Sequence, residues 1–237
     1  MSWLGHSRID LIECGSTNDE AARLARAGAA HGTIVIAERQ TAGRGREGRV
    51  WQSPPGNVYL SAVLRPLLAL HDVPPLTLAI GIATCDAARD FGADAKLKWP
   101  NDVYVAGKKL AGVLVEAQSQ GGKLESVIAG IGVNLAVTPE LPTATALGAG
   151  IDREQLVARL LAHVEHWIDR YIAAGIAAIV PAWRERMLVE LRLRAGDLVG
   201  TLAGLDDDGA LLLRTDDDEL HRIRSGAVEL AGTDRNR

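Results

Sequence analysis

Cysteine is nearly absent. Cys14 and Cys85 are the only two in 237 residues, and neither has a partner at metal-ligand spacing. That excludes a disulfide framework and a cysteine zinc site, and it implies a reducing compartment. Positive charge is not in excess either: 26 Lys and Arg stand against 30 Asp and Glu, a formal net charge of −4. A dedicated nucleic-acid binder needs a basic face for phosphates, so the totals argue against DNA as a partner. No stretch approaches the roughly 18 uninterrupted apolar residues of a membrane span. The start, Met1-Ser-Trp-Leu-Gly-His6, has no basic segment leading into an apolar run. A cytoplasmic protein that does not cross a membrane is expected. Internal repeats are also lacking. What remains, 47% hydrophobic and 24% charged, suffices for one full core and a smaller one.

Along the chain, Thr17-Asn-Asp-Glu20 has capping-box spacing and Gly28 is a stop signal, which predicts a helix over 17–27. The β-branched runs Ile34–Glu38 and Val58–Leu64 predict strands, with a Gly- and Arg-rich loop between them. Pro74 and Pro75 open an apolar helix that ends near Gly92. Strands follow at Lys96–Trp99, Gly112–Gln118 and Glu125–Leu135, with Ala106-Gly107 as a hairpin turn. Asp152 caps a long helix to about Ala174, and Ile176–Glu190 reads as a second helix despite Pro181. Alternating segments at 197–203, 210–215 and 220–224, joined by acidic turns, predict a small barrel-like β domain, and Gly232–Arg237 a frayed tail. The expected division is 1–190 and 191–237.

Residues 39–51 carry four arginines against one glutamate, with Gly43, Gly45 and Gly48 interleaved, inside an otherwise acidic protein. Glycines let backbone approach a ligand, and guanidinium forks suit phosphate and carboxylate. Glu47 is placed to pair with Arg46 or Arg49. A solvated basic loop remains the bland alternative for this segment taken alone.

Five segments in order change the weighting: Ser16-Thr-Asn18, Gln40 to Trp51, Lys98-Trp-Pro-Asn-Asp102, Lys109-Leu-Ala-Gly112 and Gly130-Ile-Gly-Val-Asn134. Together they resemble the biotin protein ligases over roughly residues 9–230. The resemblance implies an α+β fold, a mixed β-sheet with helices packed on one side as in class II synthetases, followed by a small SH3-like β-barrel. It further implies a two-step reaction in which ATP and biotin form biotinyl-5′-AMP, with Mg²⁺ in attendance. A lysine of a biotin carboxyl carrier protein, an acetyl-CoA carboxylase subunit, then takes the biotin. Larger members carry an N-terminal DNA-binding domain; with Ser16 so near the start, a form without one is expected, as monomer or homodimer.

Carried over residue by residue, the resemblance makes Arg44, Arg46 and Lys109 catalytic. Biotin would be held by Ser16, Thr17, Asn18, Gln40, Gly43, Arg44, Lys109, Gly112 and Gly130. The nucleotide would be held by Arg46, Arg49, Trp51, Asn101 and Asn134, with Asp102 as metal ligand. Trp51 and Leu110 are expected to line the apolar channel, and the 43–51 loop to close over the acyl-adenylate. Three rival readings stand beside this one: a lipoate ligase or octanoyl transferase, which needs a reactive cysteine; an RNA-binding module built on the basic loop; and a biotin binder without activity.

Overall fold

The computed structural model describes residues 2–136, 142–189 and 191–231, so the expected frayed tail lies outside the described residues. The first unit is a seven-stranded sheet. Its strands are β1 (Arg8–Cys14), β2 (Ile34–Gln40), β3 (Val58–Leu64), β4 (Lys96–Lys98), β5 (Asp102–Val105), β6 (Lys108–Gln120) and β7 (Lys123–Val133). They lie in the order β1-β2-β3-β7-β6-β5-β4. The β1–β2 pair is parallel and the other pairs antiparallel, which makes the sheet mixed.

Side chains alternate across a strand, so each strand serves two faces. Ile34, Ile36, Leu60, Ala62, Leu64, Val127, Ala129 and Ile131 share a core with the two long helices, α2 (Leu76–Asp90) and α3 (Arg153–Ala174). The opposite face carries Val35, Val63 and Ile128, which pack on Ala21 and Ala25 of the short α1 (Thr17–Arg26). The long helices thus lie on one side as expected, and α1 refines the picture by covering one corner of the other. The rest of that second face, around Ser61, Gly112, Gly130 and Gly132, is where the cavity forms.

Local signals explain most elements. Pro75 precedes the first turn of α2, Asp152 caps α3 by accepting from the Gln155 amide at 2.8 Å, and Ala106 and Gly107 both adopt positive φ, as a two-residue hairpin turn between β5 and β6 requires. Two expectations fail. The Thr17–Glu20 capping box does not form: Ser16 is the N-cap without a side-chain cap bond, and the Thr17 amide and hydroxyl are taken by Gln40 Oε1 at 2.8 and 3.0 Å. The second helix is interrupted: a 3₁₀ turn at Ile176–Ala178 precedes α4 (Val180–Arg186), with Pro181 in its first turn. Met187 then turns extended and Leu188 N–H donates to Leu97 O at 2.9 Å, so the chain leaves the helix to run beside β4.

The second unit is a five-stranded antiparallel sheet of β8 (Arg192–Ala195), β9 (Leu198–Leu205), β10 (Leu211–Thr215), β11 (Leu220–Ile223) and β12 (Val228–Leu230), in the order β11-β10-β9-β8-β12. Its apolar residues Leu193, Leu205, Leu211, Leu213 and Val228 join the core of the first unit. Among the described residues no helix is long and apolar enough to cross a membrane.

Candidate active site

The cavity, about 140 Å³, opens over the free face of the large sheet and ends against β12. At one end the α1 N-terminus brings Ser16, Thr17 and Asn18 inward, all under 5% exposed. Gln40 spans this end, accepting from Thr17 through Oε1 and donating through Nε2 to Ser53 Oγ at 2.8 Å. Ser61, fully buried in β3, lies 2.8 Å from Thr17 Oγ1 and 2.6 Å from Asn18 Oδ1. Asn18 Nδ2 donates to Glu116 Oε2 at 2.6 Å. The result is a pre-ordered group of hydroxyls and amides, suited to a small polar ring with both donors and acceptors.

The floor is glycine by necessity. A methyl at Gly130 would sit 2.1 Å from Asn18 Oδ1, and one at Gly132 would sit 2.8 Å from the Trp51 ring. Trp51 lies against this floor, half-buried, with Nε1 buried and unbonded, and Lys109 Nζ stands 5.0 Å from its ring centre.

Lys109 reaches the same face as Gly112 because of an irregularity. Where β5 pairs with β6, Val103 faces Ala111 and Tyr104 faces Lys109, so Leu110 is an extra residue, a bulge that shifts the alternation by one. The bulge turns Lys109 into the cavity, with its amine 3.4 Å from where a Gly112 methyl would be, and turns Leu110 into the core. Leu110 therefore does not line the channel, contrary to expectation. Asp102 Oδ1 lies 2.6 Å from Lys109 Nζ. Asn134 also sits behind Lys109 and not in the cavity wall: its amide N–H donates to Leu110 O at 3.0 Å and its Nδ2 to Lys109 O at 3.4 Å.

The Arg-Gly loop covers the other end as a narrow hairpin, with bridges Gln40–Ser53 and Arg44–Val50. Gly43 is enclosed, since a methyl there would meet Trp51 O at 2.5 Å and Ser53 Oγ at 2.6 Å. Arg44 points to the rim and pairs with Asp19 at 2.8 Å and Glu116 at 3.2 Å. Arg46 reaches over to Asn101 Oδ1 at 3.5 Å and Gly226 O at 3.4 Å. Glu47 pairs with Arg49 at 3.4 Å and lies 4.0 Å from Arg46. Arg44, Arg46, Arg49, Lys98 and Lys109 thus gather in one cavity wall against two carboxylates, Glu47 and Asp102. Asp19 and Glu116 pair with Arg44, and Glu229 lies by Arg49, from outside that wall, so these cations can hold an anion as large as a nucleotide phosphate chain by exchanging their carboxylate partners for it.

The sequence pattern matches two family models: the Biotin/lipoate A/B protein ligase family over residues 14–134 and the Biotin protein ligase C terminal domain over residues 189–230. The chain is 37% identical over 232 residues to the bifunctional ligase/repressor BirA of Bacillus subtilis, covering 91% of this chain and 71% of that one. The chain belongs to the biotin/lipoate protein ligase family. It is also 36% identical to a biotin–[acetyl-CoA-carboxylase] ligase of Paracoccus denitrificans, over 86% of this chain and 92% of that one. Among solved structures, the biotin protein ligase from Aquifex aeolicus in complex with biotin and ATP superimposes with a TM-score of 0.80 at 29% identity, covering 95% and 99% of the two chains.

For this biotin/lipoate ligase family member, the structure brings most of the sequence-derived site residues to one cavity. The exceptions are Gly43, which braces the loop base, and Asn134, which braces Lys109. Residues the sequence did not single out are Ser61, Ser53, Glu116 and Val228. Ser61 offered one signal, a short hydroxyl side chain in a strand whose other residues are apolar or aromatic. The two cysteines lie outside the cavity wall, and desolvation pushes both thiols up to about 11, which removes the reactive cysteine that an acyl-transfer reading requires.

Proposed function

We infer that the chain is a biotin protein ligase, an ATP-dependent enzyme that joins biotin to 5′-AMP and then transfers it to a lysine of the acetyl-CoA carboxylase carrier protein. One observation carries this reading: a single cavity with a hydroxyl-and-amide pocket at one end, a glycine floor and a lysine in the middle, and clustered arginines at the other end.

In the first step a carboxylate oxygen attacks the α-phosphorus and pyrophosphate leaves; both partners are anions. The protein's work is to hold them together against repulsion, which calls for preorganised cations and not for a covalent nucleophile. The ureido ring carries one acceptor and two donors, and Ser16, Thr17, Asn18 and Gln40 are the groups positioned to pair them. Lys109, turned inward by the bulge, faces the middle of the cavity, where the carboxylate would meet the α-phosphate. Arg46 and Arg49, with Asn101, face the phosphates, and Trp51 offers a stacking surface for the base. Arg44 sits at the rim beside the carboxylate position.

Among the described residues no three acidic, His or Cys side chains cluster as a metal site. Asp102, which pairs with Lys109 here, would be the one carboxylate to hold Mg²⁺ carried in on phosphates, an ion that takes most of its ligands from phosphate and water. When bound, it would neutralise phosphate charge.

In the second step the carrier lysine's amine attacks the acyl carbon, the C–N bond forms and AMP leaves. Residues 1–190 would supply the chemistry and 191–237 the end wall. The deciding experiment is biotin-dependent exchange of labelled pyrophosphate into ATP, with lipoate and octanoate as controls. Exchange with biotin alone supports the reading; exchange with lipoate or octanoate alone, or none, overturns it.

A further inference from the structure

Lys98 is the only charged side chain among the described residues that is buried, at 7% exposure. It stands on β4 at the edge of the large sheet, lines the cavity, and donates from Nζ to Val228 O of β12 at 2.6 Å. Asp102, the nearest carboxylate on the neighbouring strand, is engaged by Lys109. An ammonium held by a carbonyl in a desolvated place is a poor way to stabilise a fold, because an apolar side chain of similar volume does as well or better. Desolvation accordingly lowers its proton affinity below the usual lysine range, with Lys109 and Arg49 adding to the effect and Asp102 and Glu229 opposing it.

The segment that Lys98 grips is the one on which the loop rests. Gly226 O accepts from Arg46 at 3.4 Å, and Glu229 lies 3.8 Å from Arg49. Ala227 and Val228 form the end wall of the cavity. Three cations from the first unit therefore converge on four consecutive residues of the second. Two belong to the covering loop; the third, Lys98, comes from the sheet itself.

We propose that Lys98 is a positioning residue: through the Val228 carbonyl it seats residues 226–229 as the wall against which Arg46 and Arg49 close on the nucleotide phosphates. This rests on the ligase reading above, and it assigns the small β unit a share in retaining the adenylate. Lys98 donates to Val228 and to none of Ser16, Thr17, Asn18 and Gln40, so its effect is expected on the nucleotide and not on biotin.

The test uses the full chain with Lys98→Met and Lys98→Arg. Thermal melting, the KM of pyrophosphate exchange for ATP and for biotin, and the rate of biotinyl-5′-AMP release are measured for each. Lys98→Met is expected to melt within about 4 °C of the parent or above it, to raise the KM for ATP by about tenfold, to leave the KM for biotin within about twofold, and to speed adenylate release. Lys98→Arg, which keeps the cation, restores part of both losses. Unchanged ATP KM and release, a parallel rise in both KM values, or collapse of the Lys98→Met fold each overturns the proposal, the last because it makes Lys98 a structural residue. Absence of exchange in the parent would instead defeat the ligase reading.

Discussion

In the proposed reaction Lys109 is the side chain on which the chemistry turns, and its placement depends on one extra residue in a strand. Replacing it by methionine keeps the stem and the contact with Trp51 but removes the charge. Loss of one preorganised donor of this kind costs about 2.7–4 kcal/mol at the transition state, so exchange should fall about 10²–10³-fold while the melting temperature stays near the parent's. Arg46 has a different job. Bridging Asn101 and Gly226, it spans the cavity mouth, so Arg46→Gly should still make biotinyl-5′-AMP but release it faster, which filtration of enzyme-bound label against time would register. Retention equal to the parent's would remove the idea that this loop acts as a lid. The arginine cluster was legible from its residue types, whereas Lys109 and the Ser16–Thr17–Asn18 run were picked out through the family resemblance. Ser61 was not picked out and Lys98 opened a recognised segment without a role, since a serine in an apolar strand and a lysine ending a strand have commonplace explanations until their partners, 43 and 130 positions away, are seen.

At the scale of elements, the edge strand β1 is tied to α3 by Arg8, which pairs with Glu154 at 2.6 Å and with Asp10 at 2.7 Å. The hydrogen bond from Arg8 holds the Glu154 carboxyl below its ordinary range. A depressed folded-state pKa contributes stability that is present above the unfolded value, about 4.3, and is lost as pH falls through the folded one. Denaturant midpoints of the parent and Glu154→Gln should therefore differ slightly at pH 7, by at most about 1 kcal/mol for so exposed a pair, and converge below about pH 4. Coincident midpoints at pH 7 would show the pair to be irrelevant. β1 itself escaped sequence reading: Arg8-Ile-Asp-Leu-Ile-Glu-Cys14 carries charges at 8, 10 and 13, which breaks the alternation of a half-buried strand, and it pairs in parallel with β2, a non-local arrangement no turn announces. The short strands β8 and β12 escaped for lack of length, whereas β3 and α2 were plain from apolar continuity and flanking proline. The capping box misled because Gln40, from another strand, competes for Thr17 and wins.

On the scale of the molecule, the two sheets share one hydrophobic core, and polar ties reinforce it. Trp99 Nε1 donates to Gly209 O at 3.0 Å, and Arg184 forks onto Leu205 O at 3.0 and 2.7 Å. Such a shared interior should make the units unfold together. Tryptophan fluorescence, reporting mainly the large unit, and far-ultraviolet circular dichroism, reporting both, are expected to trace a single coincident transition. Two separated transitions would mean that the small unit is an appendage. The expected division at 190/191 carried no hint that the second sheet closes the cavity, because that depends on a docking seen only in three dimensions.

The alternation along β3 and β7 has a wider implication. Odd and even positions of the same strand answer to different masters, one set to the helices beneath and the other to whatever is bound above. A change of substrate that altered the upper set in steps of two, together with the Asn18 and Trp51 side chains resting on it, would leave the lower set alone and so need not endanger the scaffold. The same arrangement limits insertion: one residue gained or lost in these strands would exchange the two sets and forfeit both at once.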